Sequence, residues 1–429
     1  MGTAKRAQLT VGYLQVGPGE HGICRYGRML AAEARRRPDL QVIEHNMVLT
    51  GRIRTDYVRL RDAARLLSQA DLVHLQVSIW SDGTWGSGDW AKNIRSLWHL
   101  AAFWLNCRSA ITVTLHDLNS LPALGFRSLA MSLRFGIVES MKGPLRPAVR
   151  LFRRLRARQP LRGSLLRPLW DFGPVVPFMI ARWVSSRARR LFVLTGPERR
   201  VLEALDLADR VVEIPHFVER QPGQADATPD GNTVVVAGFM FQSKGHDLVI
   251  EAMALLPEIR VLFVGGASLG HYGRVKFAEL MELARARGVA DRLQVTGFLP
   301  DAEYIRQLAA ARLAVCAFDV NKSASSSLST LIAVDCPILA SDIPLIAEYN
   351  EISTGAIPTF APLTAEALAS RIREVLAVPR AELTRGLAEL RERLSIARIL
   401  DRHVETYEGI LAGRPDGNEP NIIRQLEPA

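Results

Sequence analysis

Residues Val234–Met253 run Val-Val-Val-Ala-Gly-Phe-Met-Phe-Gln-Ser-Lys-Gly-His-Asp-Leu-Val-Ile-Glu-Ala-Met. The β-branched run Thr233–Val236 carries the pattern of a strand buried on both faces of a parallel sheet. Gly238 breaks it. After Lys244-Gly245 the apolar residues return at helical spacing, at Leu248, Val249, Ala252 and Met253. A strand that turns through glycine and lysine into a helix outlines a phosphate site. The turn exposes N–H groups, the helix dipole favours an anion, and the lysine adds a full positive charge. The spacing is neither Gly-x-Gly-x-x-Gly nor a Walker loop, so it predicts neither a dinucleotide nor a P-loop triphosphate. An ordinary strand-to-helix connection with a solvated lysine fits this stretch equally well.

The rest of the chain supplies the context. Its 429 residues predict two domains. Hydrophobic residues at 48% and charged residues at 23% describe a globular protein. A net charge of +10 calls for an anionic partner: nucleic acid, anionic lipid or a phosphorylated substrate. Cys24, Cys107, Cys316 and Cys336 have no paired spacing, so neither a zinc knuckle nor a disulfide framework is expected, and a reducing cytosol is the simplest setting. Met1–Thr10 lacks the apolar core of a signal peptide. Leu97–Cys107 and Phe172–Val184 are too short or too interrupted to span a bilayer, which predicts a soluble or peripheral protein.

In the first half, strand Leu9–Val16 opens into the glycine loop Gly17–Gly22, followed by a helix and a strand at Gln41–Val48. This is a βαβ unit whose loop lies where open α/β sheets bind ligands. Further strands are expected at Leu72–Val77, which carries His74 and Gln76, and at Ile111–Leu115, which ends at His116-Asp117. From about residue 125 to 185 arginines interleave with leucines almost without acids, as in Arg146, Arg150, Arg153, Arg154, Arg156 and Arg167. An anionic membrane surface suits that pattern best. A helix with a solvated basic face is the plainer reading. Nucleic acid is the least favoured, because the segment has no recognised motif and few aromatics.

Strands at Arg190–Thr195 and Val211–Pro215 precede a linker rich in Gly, Pro, Asp and Gln. The second half repeats the rhythm, with strands at Thr233–Ala237, Arg260–Val264, Leu293–Thr296, Leu313–Ala317 and Ile338–Ala340. The expected organisation is α/β, with two Rossmann-like domains facing across a cleft. An N-terminal domain spans residues 1–217, a linker 218–232, a second domain 233–395, a last helix 396–412 and a disordered tail 413–429.

Six pieces in order carry a resemblance: Gly17–Gly22, His116-Asp117, Ile214-Pro215-His216, Gly238 with Lys244-Gly245, Val295–Leu299 and Asp335–Ser341. Up to about residue 412 the chain resembles the retaining glycosyltransferases of the two-Rossmann-domain architecture (GT-B), in their fourth sequence family. The resemblance implies transfer of a hexose from a nucleotide-sugar, with retention, to a membrane-linked, polysaccharide or glycolipid acceptor. It implies no metal and no cofactor beyond the donor itself. The last helix would cross back to the first domain. Such an enzyme would sit in the cytoplasm, peripheral on the inner membrane face.

The resemblance also implies roles. Lys244 would stabilise the leaving diphosphate, and His116 would line the sugar site near the attacked carbon. Donor binding falls to Gly17, Gly19, Gly22, Gly238, Gly297, Phe298 and Leu299, and acceptor binding to His21, Arg25, Gln76 and Asp117. His216 would shape the hinge. Two departures stand out. Phe239 replaces an arginine, and Lys322 and Thr330 occupy the places of two glutamates eight positions apart. Lys322 with Ser325, Ser326 and Ser327, at the start of a helix, is expected to take over phosphate binding; an N-cap cluster that only starts the helix is the plainer reading. A catalytically silent relative that binds nucleotide or scaffolds a glycan-assembly complex would show the same departures. An isomerase or phosphorylase would need a catalytic carboxylate set or a cofactor lysine, and the sequence presents neither.

Overall fold

The computed structural model describes residues 8–18, 22–78, 90–116, 118, 184, 187–203, 207–219, 230–240, 243–267, 271–353 and 355–413. The expectations for Gly19, His21 and Asp117, for the basic segment apart from Val184, and for residues 414–429 lie outside them. The chain forms two compact units. The first runs to Ile214 and takes up the last helix from His403 onward; the second spans Pro215–Arg402.

The first unit is a six-stranded parallel sheet. Its strands are β1 (Leu9–Val16), β2 (Leu40–Met47), β3 (Leu72–Ser78), β4 (Ala110–His116), β5 (Arg190–Val193) and β6 (Val211–Glu213), in the order β2-β1-β3-β4-β5-β6. Helices α1 (Gly22–Ala34), α2 (Ile53–Leu67), α3 (Trp90–Asn106) and α4 (Gly196–Glu203) connect them. The order reverses between β1 and β3, which places the ligand crevice of such a sheet at the C-terminal ends of those two strands. Val73, Leu75, Val77, Val113 and Leu115 pack one face against Leu60, Ala64, Leu67 and Phe103.

The opposite face is polar. Register aligns Tyr13 with His74 and His74 with Thr112, so side chains of three strands share one row. The buried His74 ring spans two hydroxyls, with Nδ1 2.9 Å from Thr112 Oγ1 and Nε2 3.0 Å from Thr114 Oγ1. Phe192, His403 and Tyr407 close over it at ring separations of 5.3, 5.4 and 5.8 Å. His403 and Tyr407 come from the last helix, α12 (Ile396–Leu411), whose apolar face they share with Ile399, Leu400 and Val404.

The second unit has strands β7 (Asp230–Ala237), β8 (Arg260–Val264), β9 (Leu293–Val295), β10 (Ala311–Cys316), β11 (Ile338–Ser341) and β12 (Thr359–Phe360), all parallel, in the order β12-β11-β10-β7-β8-β9. Counted within the unit this is 3-2-1-4-5-6, the order of a Rossmann sheet, and its reversal point lies between β7 and β10. Helices α5 (His246–Ala254), α6 (His271–Ala286), α7 (Asp301–Ala309), α8 (Ser326–Ala333), α9 (Pro344–Ile352), α10 (Ala365–Ala377) and α11 (Arg380–Arg393) cover it. Two details depart from the sequence reading. Asp230–Asn232, assigned to the linker, already belong to β7, and β12 was not anticipated. Two residues are too few to show a periodicity; Thr359–Phe360 is a strand because its neighbour β11 supplies an edge.

Burial, helped by the fields of His403 and His116, holds the His74 pKa well below its ordinary 6.5. Above that value His74 is neutral whether folded or unfolded, so no stability depends on it. Below it the unfolded chain takes up a proton that the folded one refuses. Stability should then fall by up to about 1.4 kcal/mol per pH unit for this group. Thermal melts between pH 7.5 and 5 should show His74→Gln declining less steeply than the parent; equal slopes would clear His74 of the effect.

Candidate functional site

The Lys244 turn sits at the β7/β10 reversal point, and its backbone is shaped by glycines that tolerate no side chain. Gly238 has φ +100°, and a Cβ there would lie 2.4 Å from Ser327 Oγ and 2.7 Å from Lys244 Nζ. Gly245, the N-cap of α5, has φ +64°, and a Cβ would meet the Ala317 carbonyl oxygen at 2.0 Å. Between them Ser243 adopts φ 75°, uncommon for a residue with a side chain.

This folding aims Lys244 at the start of α8. Its half-buried ammonium donates to Ser327 Oγ at 3.0 Å and approaches the Ala237 carbonyl at 3.5 Å. Desolvation, with the Lys322 ammonium adding to it, lowers the Lys244 pKa to about 8. Lys322 donates to Ser243 Oγ and lies 5.8 Å from the Phe318 ring centroid. Ser325 is the N-cap of α8, its Oγ accepting from the Leu328 N–H at 3.3 Å, while Ser326 is exposed. Thr330 turns away, donating to the Ser326 carbonyl at 2.9 Å. His246 is buried and its pKa falls to about 3, first through desolvation and then through Lys244, so it adds no charge. Two ammoniums, three hydroxyls and a helix N-terminus thus converge on one strand-end crevice, an arrangement suited to a polyanion.

Beside it, Thr296 Oγ1 accepts from the Gly265 N–H at 3.0 Å and donates to the Gly297 carbonyl at 2.8 Å, fixing the loop that carries Phe298 and Leu299. Ser243, Gly265, Gly266 and Thr296 were missed from sequence. Gly265-Gly266 directly after an apolar strand was the available signal. His216 is a fixture of this unit: Nδ1 donates to the Phe217 carbonyl at 2.7 Å, Ser329 Oγ is 3.2 Å away, and burial lowers its pKa to about 4. A cavity of about 530 Å³ lined by Thr233, Arg260, Arg292 and Ala311 opens where β7, β8 and β10 begin, at the wrong end of the sheet for this chemistry.

In the first unit the structure brings two expected residues together. His116 is buried at the end of β4, with Nε2 2.8 Å from Gln76 Oε1 and its ring against the edge of Tyr26 at 5.5 Å. Oε1 can only accept, so Nε2 is the donor of this bond. The buried Gln76 Nε2 has no hydrogen-bond partner among the described residues. Glu198 braces the strand end by accepting from the Leu118 and Leu194 N–H groups at 3.1 and 3.0 Å. Gly17 gives its N–H to the Met47 carbonyl at 2.9 Å, so that donor is committed within the sheet. Gly22 begins α1, and Arg25 is on its exposed side.

Gly245→Ala should test the turn. It combines a positive φ with a backbone clash, so a loss of about 1–3 kcal/mol is expected. Gly288→Ala, also at positive φ but with open space around it, should cost less. Chemical denaturation of both variants measures the difference; equal losses would show that the Ala317 contact does not matter.

Residues 218–397 match the family model of the glycosyl transferases group 1. No curated protein matches the chain significantly. Among solved structures the chain is similar to sucrose-phosphate synthase from Thermosynechococcus elongatus, at 15% identity and a TM-score of 0.62, covering 94% of this chain and 100% of that one. It is also similar to HepE from Anabaena, solved in complex with UDP and glucose, at 13% identity and a TM-score of 0.61, with 94% and 100% covered. A third is AviGT4, a glycosyltransferase involved in avilamycin A biosynthesis, at 14% identity and a TM-score of 0.54, with 94% and 98% covered. The chain therefore has the fold of the GT-B glycosyltransferases, two Rossmann-like domains, and its second domain carries the group 1 signature.

Proposed function

We propose that this protein is a retaining, metal-independent glycosyltransferase. It takes a hexose from a nucleotide-sugar and passes it to a lipid-linked or glycan acceptor. The observation that carries the reading is the Lys244 ammonium, held between Gly238 and Ser327 at the reversal point of a Rossmann sheet. The group 1 match over the same domain supports it, as does the binding of UDP and glucose by the similar HepE. When the anomeric bond breaks, charge builds on the departing diphosphate, and positive groups already in place lower that barrier. Lys244 and Lys322 supply the charge, and the first turn of α8 supplies N–H groups. In the first domain His116, bonded through Nε2 to Gln76, would line the sugar site, as the resemblance implies.

A catalytically silent nucleotide-binding homologue is the second reading, favoured by Lys322 and Thr330 in place of two carboxylates. Release of sugar into water from UDP-, GDP- or ADP-sugars would rule it out. Lys244→Ala should weaken nucleoside diphosphate binding about ten- to a hundred-fold. Ser326→Asp and Ser327→Asp should stay folded, because acids suit a helix N-terminus, yet repel the ligand. Parent affinity should decline above about pH 8 as Lys244 loses its proton. A bound anion raises that pKa and shifts the decline upward. Calorimetry giving parent-like affinity for all three variants would move the diphosphate elsewhere.

The acceptor proposal rests on the sequence of the basic segment, where arginines near an anionic surface each contribute on the order of 1 kcal/mol. Replacing Arg150, Arg153, Arg154 and Arg156 by Gln should release the protein from anionic vesicles and spare nucleotide binding. Equal co-sedimentation of variant and parent would refute a cytoplasmic-face membrane role for the segment.

A further inference from the structure

Phe239 is 52% exposed and Phe298 is 59% exposed, and both belong to the strand-end loops of the second domain. Their rings lie 5.4 Å apart at 60°. Neither is placed loosely. The Gly238 N–H donates to the Val264 carbonyl at 2.9 Å and the Met240 N–H to the Gly266 carbonyl at 3.0 Å, so Phe239 is clamped on both sides. Met240 is fully buried, and the alternation of an extended backbone sends Phe239 outward. The Phe298 ring lies on Gly266, where a Cβ would come within 2.9 Å of it.

The corner is next to the charged crevice. Gly238, which meets Lys244 Nζ and Ser327 Oγ, immediately precedes Phe239. Two solvent-facing phenyl rings on backbone-anchored loops thus stand beside the glycine that meets Lys244 and Ser327. A ligand matching that polarity has an anionic end and a flat apolar end. We propose that Phe239, together with Phe298, is the stacking platform for the base of the nucleoside diphosphate. Affinity at the site then divides into a charge half at Lys244, Lys322 and Ser327 and an aromatic half at Phe239 and Phe298. Phe239 stands where the resembled family has arginine; here the position recognises the nucleoside and leaves the charge to the lysines. The inference rests on the nucleotide-binding reading above.

The test is calorimetry with UDP, GDP and ADP against inorganic pyrophosphate, which offers the charge without a base. The parent should bind one or more of the nucleotides more tightly than pyrophosphate. Phe239→Ala should lower that nucleotide affinity roughly ten- to a hundred-fold and leave pyrophosphate unchanged. Phe239→Leu, which keeps apolar bulk without a π-face, should behave like the alanine variant, and Phe239→Tyr like the parent. Lys244→Ala should weaken nucleotide and pyrophosphate alike. The inference is overturned if the folded Leu variant keeps the parent's nucleotide-to-pyrophosphate ratio, or if the parent binds pyrophosphate as tightly as every nucleotide; both leave the phosphate reading standing. A parent that binds neither class defeats the phosphate reading and this inference together.

Discussion

An ammonium drawn partly out of water needs compensation, and the second domain is arranged around supplying it incompletely. Among the described residues Lys244 meets a hydroxyl and a carbonyl and no carboxylate. A hydroxyl dipole offsets only part of the cost of desolvating a full charge. Lys322 raises the demand, and His246 stays neutral under the same pressure. The glycines on either side follow from this. Gly238 has no Cβ because the ammonium and Ser327 fill that space, and Gly245 has none because Ala317 does. Positive groups held in place in this way are what electrostatic preorganisation toward an anion requires.

The first domain solves a different problem with similar means. One face of its sheet is apolar and ordinary; the other carries Tyr13, His74, Thr112, Thr114 and His116 in adjoining rows. Buried polar side chains are tolerated where they bond one another. Two threonines satisfy both nitrogens of His74, and Gln76 satisfies one of His116. Those bonds hold both imidazole rings in place on this face.

The two sheets were legible because buried parallel strands write continuous apolar runs. Residues 261–264 and the core of β7 stand out for that reason, while Leu9–Val16 is interrupted by Thr10, Gly12 and Gln15. Lys244 was legible as a strand-to-helix lysine, and Ser325 as the small polar residue that begins a helix. What stayed hidden depends on which loops meet. Ser243 looks like any turn residue until Lys322, far along the chain, is placed on its hydroxyl. Gly266 gains its meaning only from the Phe298 ring above it. Local periodicity reports burial; convergence of separate strand ends is a property of the strand order, which short motifs do not encode.

The polar face of the first sheet has a consequence for how the protein is made. His74 and Phe192 are covered by His403 and Tyr407, which are synthesised after the whole second domain. A nascent chain that has emitted every strand of the first sheet still lacks part of the cover for that face. Contacts of such long sequence separation form late, because the closure entropy comes due before the contact does. The last helix is therefore the final piece of cover to reach the domain that left the ribosome earliest.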